Sequence, residues 1–151
     1  MSHTILCDIV SAERTLYSNL VKYVVVQADH GELGIFPGHA PLLTTLKTGS
    51  ARLVKEDDSE EIMFISGGFM EVQPHKVILL ADFAQRASEL DMEEALAAKQ
   101  HAEEHLGNSS NELDHTRALK ELNEALARIR AIEQNRRIGH FVDKNHVHPK
   151  Y

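Results

Sequence analysis

The fold is decided by Ser88-Glu89-Leu90-Asp91-Met92-Glu93-Glu94-Ala95, a stretch where one residue pattern ends and another begins. Before it, short runs of β-branched and aromatic residues alternate with turn signals, which is typical of strands. After it, glycine and β-branched residues become rare, and alanine, leucine, glutamate and lysine dominate, as in helices. Asp91 is in position to cap a helix, and Glu94 gives the spacing of a capping box. A domain boundary therefore falls here.

Residues 1–86 are predicted to form an antiparallel β-sandwich of about ten short strands. Runs such as Val21-Lys22-Tyr23-Val24-Val25-Val26 and Glu61-Ile62-Met63-Phe64-Ile65 fit half-buried pleated strands. Turn signals such as Thr48-Gly49 and Gly67-Gly68 punctuate them at short intervals. Because no helical pattern intervenes, a sandwich or barrel is favoured over a parallel α/β sheet.

Residues 87–139 are predicted to form an antiparallel two-helix hairpin, and residues 140–151 a tail, so the fold class is α+β. Gly107-Asn108-Ser109-Ser110-Asn111 breaks the helical pattern, and Gly139 is a predicted helix stop. Each helix carries an apolar seam: Ala95, Ala98, Ala102 and Leu106 in the first, and Ala118, Leu122, Ala125, Ile129 and Ile132 in the second. Because alanine methyls bury little surface, we expect the hairpin to lean on the sandwich or on a partner.

Composition excludes several classes of protein. The net charge of -7 over 151 residues argues against a nucleic-acid partner, which would need a basic face. No apolar run approaches the ~20 residues that cross a bilayer, and we expect no signal peptide. The single cysteine, Cys7, lies in a strand pattern and is predicted to be a core residue. These features predict a cytoplasmic globular protein without direct bilayer insertion.

The ten histidines prompt a metal-dependent or hydrolytic enzyme as a rival interpretation. His101 and His105 share one helix face at the spacing that metal sites use, but the Glu that follows the first His in a metalloprotease helix is missing. His140, His146 and His148 in the tail have no acidic or cysteine partner at a suitable spacing. We therefore predict no metal, no cofactor and no catalytic residue.

Charge is segregated along the helical part. Residues 87–126 carry three Lys/Arg against ten Asp/Glu, whereas residues 127–151 carry six Lys/Arg against two Asp/Glu. One interpretation is a solvated helix face whose basic end is favoured by the helix dipole. The other is a segment that meets an acidic surface of a partner.

Several blocks of the sequence form a distinctive series. The first is Gly31-Glu32-Leu33-Gly34-Ile35-Phe36-Pro37-Gly38-His39-Ala40-Pro41-Leu42-Leu43, and the second is Ser66-Gly67-Gly68-Phe69-Met70-Glu71-Val72-Gln73-Pro74-His75. The others are Val77-Ile78-Leu79-Leu80-Ala81-Asp82, the opening Asp8-Ile9-Val10-Ser11-Ala12-Glu13 and the helical segment that starts at Leu90. In this order and spacing the blocks closely resemble the epsilon subunits of bacterial F-type ATP synthases, in one register from about residue 4 to 137.

The resemblance implies a non-catalytic rotor component of the central stalk. Such a subunit contacts gamma and the c ring, couples proton flow to ATP synthesis, and lies peripherally on the cytoplasmic face of the bacterial inner membrane. Glu32, Pro37 and His39 are the positions that the resemblance assigns to the c ring. A second interpretation of His39 is that its ring bonds the backbone of its own loop.

The resemblance also implies that the C-terminal helices inhibit ATP hydrolysis by reaching the alpha/beta catalytic head. The basic residues that would serve there are Arg128, Arg130, Arg136 and Arg137. On this basis the second interpretation of the charge segregation, a partner contact, is preferred.

One position departs from the family members that bind ATP. Those members carry Leu/Ile-Asp-x-x-Arg-Ala at the start of the first helix, whereas this chain has Glu94 in place of the arginine. Asp91 matches, but a carboxylate at residue 94 repels a triphosphate and removes a bidentate donor. We predict weak or absent ATP binding. The alternative function is a free-standing β-sandwich module that senses nucleotide.

Overall fold

The structure is a computed structural model that describes residues 3–146, with side chains described for residues 3–139. The strands are β1 (Ile5–Val10), β2 (Thr15–Ala28), β3 (Gly31–Ile35), β4 (Leu42–Lys55), β5 (Glu60–Gln73), β6 (Lys76–Ala81) and β7 (Ala84–Arg86). A 3₁₀ turn at Ala87–Glu89 leads into helices α1 (Met92–Gly107) and α2 (Glu112–His146). The predicted α+β fold, a β domain followed by a helical hairpin, is confirmed.

The strands form one sheet that closes on itself. β1 pairs with both β2 and β6, and the path from β6 through β5 and β4 returns to β2. β3 is added beside β2, and β7 beside the first half of β5. Most pairings are antiparallel, but β1 and β6 run parallel, which the prediction of an antiparallel sandwich did not include. Closure leaves few exposed strand edges, so the domain is a barrel-like β-sandwich.

The strands are fewer and longer than predicted. Residues 3–146 contain seven strands instead of about ten, and β2, β4 and β5 have 14 residues each. The predicted turn signals Thr48-Gly49 and Gly67-Gly68 lie inside β4 and β5. Gly67 and Gly68 have positive φ angles of 107° and 130°, so they bend β5 without ending it. The strand pairs with β7 before this bend and with β6 after it.

The barrel interior is filled by alternate residues of its strands, as a period of two requires. The buried set includes Ile5, Cys7, Ile9, Val24, Leu53, Met63, Met70, Val77 and Leu79. Burial first, and the nearby Asp8 second, raise the pKa of Cys7 to about 12. The thiol therefore stays protonated and apolar in character, so the prediction of a core cysteine is confirmed.

The first half of β5 is buried on both faces. Met63 and Ile65 point into the barrel, whereas Ile62 and Phe64 point outward to a second core beneath the helices. The other members of this second core are Ala87, Ala127 and Ala131, with Leu90 and Ile138 packed against it. This double burial explains the uninterrupted apolar run in this part of the sequence. The hairpin is thus docked on the β domain, one of the two expected arrangements.

The helical hairpin differs from its prediction at two positions. Ala98 is exposed, and the buried residues of α1 are Ala95 and Ala102. α2 continues through Gly139 to His146, so the predicted helix stop at Gly139 is wrong. A helical glycine costs only about 1 kcal/mol relative to alanine, and Gly139 is not among the glycines with positive φ. His148 of the predicted tail lies outside the described residues.

Candidate functional site

β3 and the loop that follows it carry the residues predicted to meet the c ring. Glu32 is exposed in β3, where its carboxylate accepts a hydrogen bond from Gln27 Nε2 at 3.1 Å. Pro37 and His39 are half-buried in the loop itself. The Gly38 N–H donates to the Pro74 carbonyl at 2.8 Å, which ties this loop to the turn between β5 and β6. The loop is therefore a stiff, partly exposed surface at one end of the barrel.

The His39 ring makes a local contact. Its Nδ1 donates to the Ala40 carbonyl at 2.7 Å, and its backbone N–H donates to the Phe36 carbonyl at 3.2 Å. This geometry fits the second interpretation of His39, a ring that fixes its own loop. The first interpretation, a contact to a partner, stays a prediction.

An apolar surface lies on the outward side of β4, β5 and β6, after the bend in β5. Thr45, Phe69 and Leu80 are register partners across these strands, as are Leu43, Glu71 and Ile78. The apolar members of this surface, which we call the Phe69 face, are Leu43, Phe69, Ile78 and Leu80. Leu43 is 71%, Phe69 52% and Leu80 48% exposed. Clustered exposed apolar side chains of this size mark a contact surface for another macromolecule.

The Phe69 face was not identified in the sequence. The sequence does contain a pattern that indicates apolar residues on the outer side of these strands. Successive strand residues point to opposite faces, and apolar residues are adjacent in Leu42-Leu43, Phe69-Met70 and Leu79-Leu80. Adjacent apolar residues also occur at Ile62-Met63-Phe64-Ile65, but there the outer face of the strand is covered by the helices. Sequence alone does not distinguish coverage by the chain's own helix from coverage by a partner.

Arg128 is the one of the four predicted inhibitory arginines that contacts the β domain through its guanidinium. Its guanidinium carbon lies 4.6 Å from the ring centre of Phe64 and 6.0 Å from that of Phe83. A cation over an aromatic face contributes about 0.5–2 kcal/mol, depending on how far it is desolvated. Nearby, Ser50 Oγ donates to Gln134 Oε1 at 2.6 Å. These two contacts add to the apolar packing of α2 on the sheet.

The other three arginines leave their charges in solvent. Arg130, Arg136 and Arg137 are exposed, and Arg130 Nε donates to the Leu126 carbonyl of its own helix at 3.4 Å. The structure therefore separates the four residues into one packing residue and three exposed cations. The exposed three can meet an acidic surface without first losing a contact to the β domain.

Asp91 caps α1, as predicted. Its Oδ1 accepts hydrogen bonds from the backbone N–H groups of Glu93, at 2.8 Å, and Glu94, at 3.4 Å. The carboxylate also complements the positive end of the helix dipole. Glu94 is exposed beside it, so two acidic side chains stand where a phosphate would have to approach.

Comparison with known proteins divides the chain at the same stretch. Residues 4–87 match the β-sandwich domain of the ATP synthase delta/epsilon chain, and residues 88–133 match its long alpha-helix domain. An ATP synthase epsilon chain of Nitrosococcus oceani is 48% identical over 137 residues, which are 91% of this chain and 98% of the relative. The chain belongs to the ATP synthase delta/epsilon chain family. The resemblance noted in the sequence is confirmed.

Solved structures show the same fold at low identity. One is a chain of the Euglena gracilis mitochondrial ATP synthase, in an assembly of OSCP, F1 and c ring, with 20% identity and a TM-score of 0.77 over 84% of this chain and 80% of that one. Another is a chain of the Tetrahymena thermophila mitochondrial ATP synthase, from its central stalk and c ring, with 13% identity, a TM-score of 0.54 and coverage of 87% and 95%.

Membership of the delta/epsilon family makes the chain a subunit of ATP synthase, not a catalyst in its own right. Neither helix within residues 3–146 is long and apolar enough to span a bilayer. The two family matches together cover residues 4–133, which include the whole sheet, α1 and the first part of α2.

Proposed function

We propose that this delta/epsilon family member is a rotor component of the central stalk in a bacterial F-type ATP synthase. It turns with gamma, contacts the c ring and couples proton flow to ATP synthesis. It is held peripherally on the cytoplasmic face of the inner membrane by those contacts. The observation that carries the proposal is the Phe69 face, an uncovered apolar surface on three neighbouring strands, whereas the outward apolar residues around Phe64 are covered by α2.

Gamma is the partner proposed for the Phe69 face. The face offers an exposed aromatic ring, a kind of side chain enriched at interfaces, together with two exposed leucines. The strands that carry them are joined by continuous ladders, so their backbone is ordered before binding. Little conformational entropy is then lost on association, which favours a long-lived contact.

The c ring is proposed to meet Glu32, Pro37 and His39. The loop is stiffened by the Gly38–Pro74 hydrogen bond and by the local bonds of His39, so it presents a preformed surface. Glu32 supplies an exposed carboxylate for a polar partner. The Phe69 face and this loop share the β domain, so one rigid body can bind gamma and the ring together.

The hairpin is proposed to regulate the complex. Residues 1–86 form the docking domain, and the hairpin, which follows residue 86 and extends through α2 to His146, forms the regulatory domain. When α2 leaves the sheet, Arg128, Arg130, Arg136 and Arg137 contact the alpha/beta head and block ATP hydrolysis. The residues that α2 buries in this interface, Ala127 and Ala131, contribute only methyl groups, which supports this exchange.

ATP itself is not proposed as a ligand. Asp91 is occupied by capping, and Glu94 adds a second negative charge at the start of α1. This argument also disfavours the alternative of a free-standing nucleotide sensor.

Phe69→Asp is expected to release the chain from the complex. A charge placed in an apolar anchor position costs about 2 kcal/mol or more, which is at least about 30-fold in affinity. The β domain should stay folded, because Phe69 is 52% exposed. The measurement is the amount of chain retained on washed inner-membrane vesicles from cells that carry the variant as their sole copy.

Leu113→Asp is the matched control, because Leu113 is 68% exposed and belongs to α2, not to the strands of the Phe69 face. It should be retained like the unaltered chain. Equal retention of Phe69→Asp and Leu113→Asp would refute docking through the Phe69 face.

A further inference from the structure

His101, His105 and Glu121 come together on the exposed side of the hairpin. The imidazole ring centres of His101 and His105, one helical turn apart on α1, are 4.2 Å from each other. Across the hairpin, His105 Nδ1 lies 3.9 Å from Oε2 of Glu121 on α2. One ligand atom from each of the three side chains lies within 4.8 Å of the other two.

We propose that this triad binds a divalent transition-metal ion, with Zn²⁺ as the preferred occupant, and that the ion ties α1 to α2. Imidazole nitrogen and carboxylate oxygen are ligands that Zn²⁺ accepts, and two His with one Glu leave a fourth position for water. Hard ions such as Mg²⁺ and Ca²⁺ prefer sites built from oxygen alone, so they fit this set poorly.

The geometry is close to that of a bound ion. Tetrahedral zinc with bonds of about 2.0–2.1 Å separates its ligand atoms by roughly 3.4 Å. The ligand atoms, which lie within 4.8 Å of one another, must therefore close by up to about 1.4 Å, which exposed side chains do by small rotations. The backbone needs no change, because the buried alanines Ala102 and Ala118 on the facing sides of the hairpin already allow the helices to approach closely.

The surrounding charges permit a cation. Asp114 and Arg117 line the same surface depression as His105 and Glu121, so the arginine is offset by an acidic neighbour. The His101–His105 spacing alone did not predict a site, because these two residues lie on α1 and the third member, Glu121, lies on α2. The third ligand becomes visible when the fold brings α2 alongside α1.

A metal here would act on the part of the chain that is packed least firmly. α1 buries only Ala95 and Ala102, so apolar packing contributes little to its attachment to α2. A metal ion bound by side chains of both helices would add a direct link between them. A ligand that binds the folded hairpin and not the unfolded chain stabilises the hairpin in proportion to its saturation. Zinc would therefore make the hairpin move as one unit when it leaves the sheet.

The test is zinc binding by the full, untagged chain, measured by competition with a chromophoric chelator and by the visible bands of Co²⁺ as a substitute probe. We expect His101→Ala, His105→Ala and Glu121→Gln each to bind zinc at least tenfold more weakly than the unaltered chain. Zinc should also slow hydrogen exchange of α1 amides in the unaltered chain and not in these variants. All three positions are exposed, so circular dichroism should show unchanged folding.

Two controls separate this site from other histidines. His115→Ala removes an exposed histidine of the same hairpin that hydrogen-bonds Ser109 Oγ at 3.4 Å, and the double variant His146→Ala, His148→Ala removes histidines near the chain's end. Both should bind zinc like the unaltered chain. The proposal is overturned if zinc does not bind up to about 1 mM, if the three triad variants bind normally, or if binding is lost only in the double variant.

Discussion

Replacing Gly68 with alanine is expected to destabilise the β domain by more than about 4 kcal/mol, the largest effect of any single substitution considered. Gly68 has a φ of 130°, and an added Cβ would lie 2.0 Å from the Leu80 carbonyl oxygen and 3.0 Å from the Ala81 Cα. Both obstacles are backbone atoms of β6, so no side-chain rotation relieves the clash. The bend in β5 and its pairing with β6 would be lost together.

The measurement is thermal and urea unfolding followed by circular dichroism, with an expected fall of more than about 10 °C in the unfolding midpoint. Gly107→Ala is the matched control. Gly107 ends α1, is not among the glycines with positive φ, and has nothing within 4 Å of an added Cβ. Its variant should differ from the unaltered chain by about 1 kcal/mol or less. If both variants unfolded at the same temperature, the account of the bend would be wrong.

Replacing Arg130, Arg136 and Arg137 together with alanine is expected to raise ATP hydrolysis by the assembled complex at least about twofold. The three guanidinium groups are exposed in the docked hairpin, so their loss leaves packing on the sheet unchanged. It removes up to three charge contacts to the catalytic head, each worth about 0.2–1 kcal/mol if exposed there. Adding Arg128→Ala also removes its stacking on Phe64 and gives the full four-residue variant.

A variant with the same charge change provides the control. Lys99, Arg117 and Lys120 are the three Lys/Arg residues of residues 87–126, and replacing them with alanine alters the net charge equally. This second triple variant should hydrolyse ATP at the rate of the unaltered complex. Equal rates in the two triple variants, or no rise in the first, would show that the basic segment is only a solvated helix face.

Much of the fold was predictable because the residue preferences of each segment agree with the secondary structure that the segment adopts. The change of composition at residue 88 separates sheet from helix, and Asp91 caps α1 as its position indicates. The predicted strand count was wrong because Thr48-Gly49 and Gly67-Gly68 were interpreted as turns between strands. Gly67 and Gly68 instead bend a continuous strand, a difference that depends on the neighbouring β6 and is invisible in β5 alone.

The candidate sites were less predictable, because each depends on tertiary contacts. The sequence does not show that α2 covers Phe64 and leaves Phe69 uncovered, since both lie in the same strand on apolar runs. It also does not show that Arg128 stacks on the Phe64 ring while the other three predicted inhibitory arginines stay exposed to solvent. Glu121 meets His105 only after the hairpin has closed.

Direct binding to gamma tests the central claim. The chain and the gamma subunit of the same organism are co-expressed, purified under native conditions and analysed by size-exclusion chromatography with light scattering. The account predicts a stable complex with one copy of each subunit, lost in Phe69→Asp and retained in Leu113→Asp. Separate elution of the two unaltered subunits would contradict the assignment of this chain to the rotor stalk.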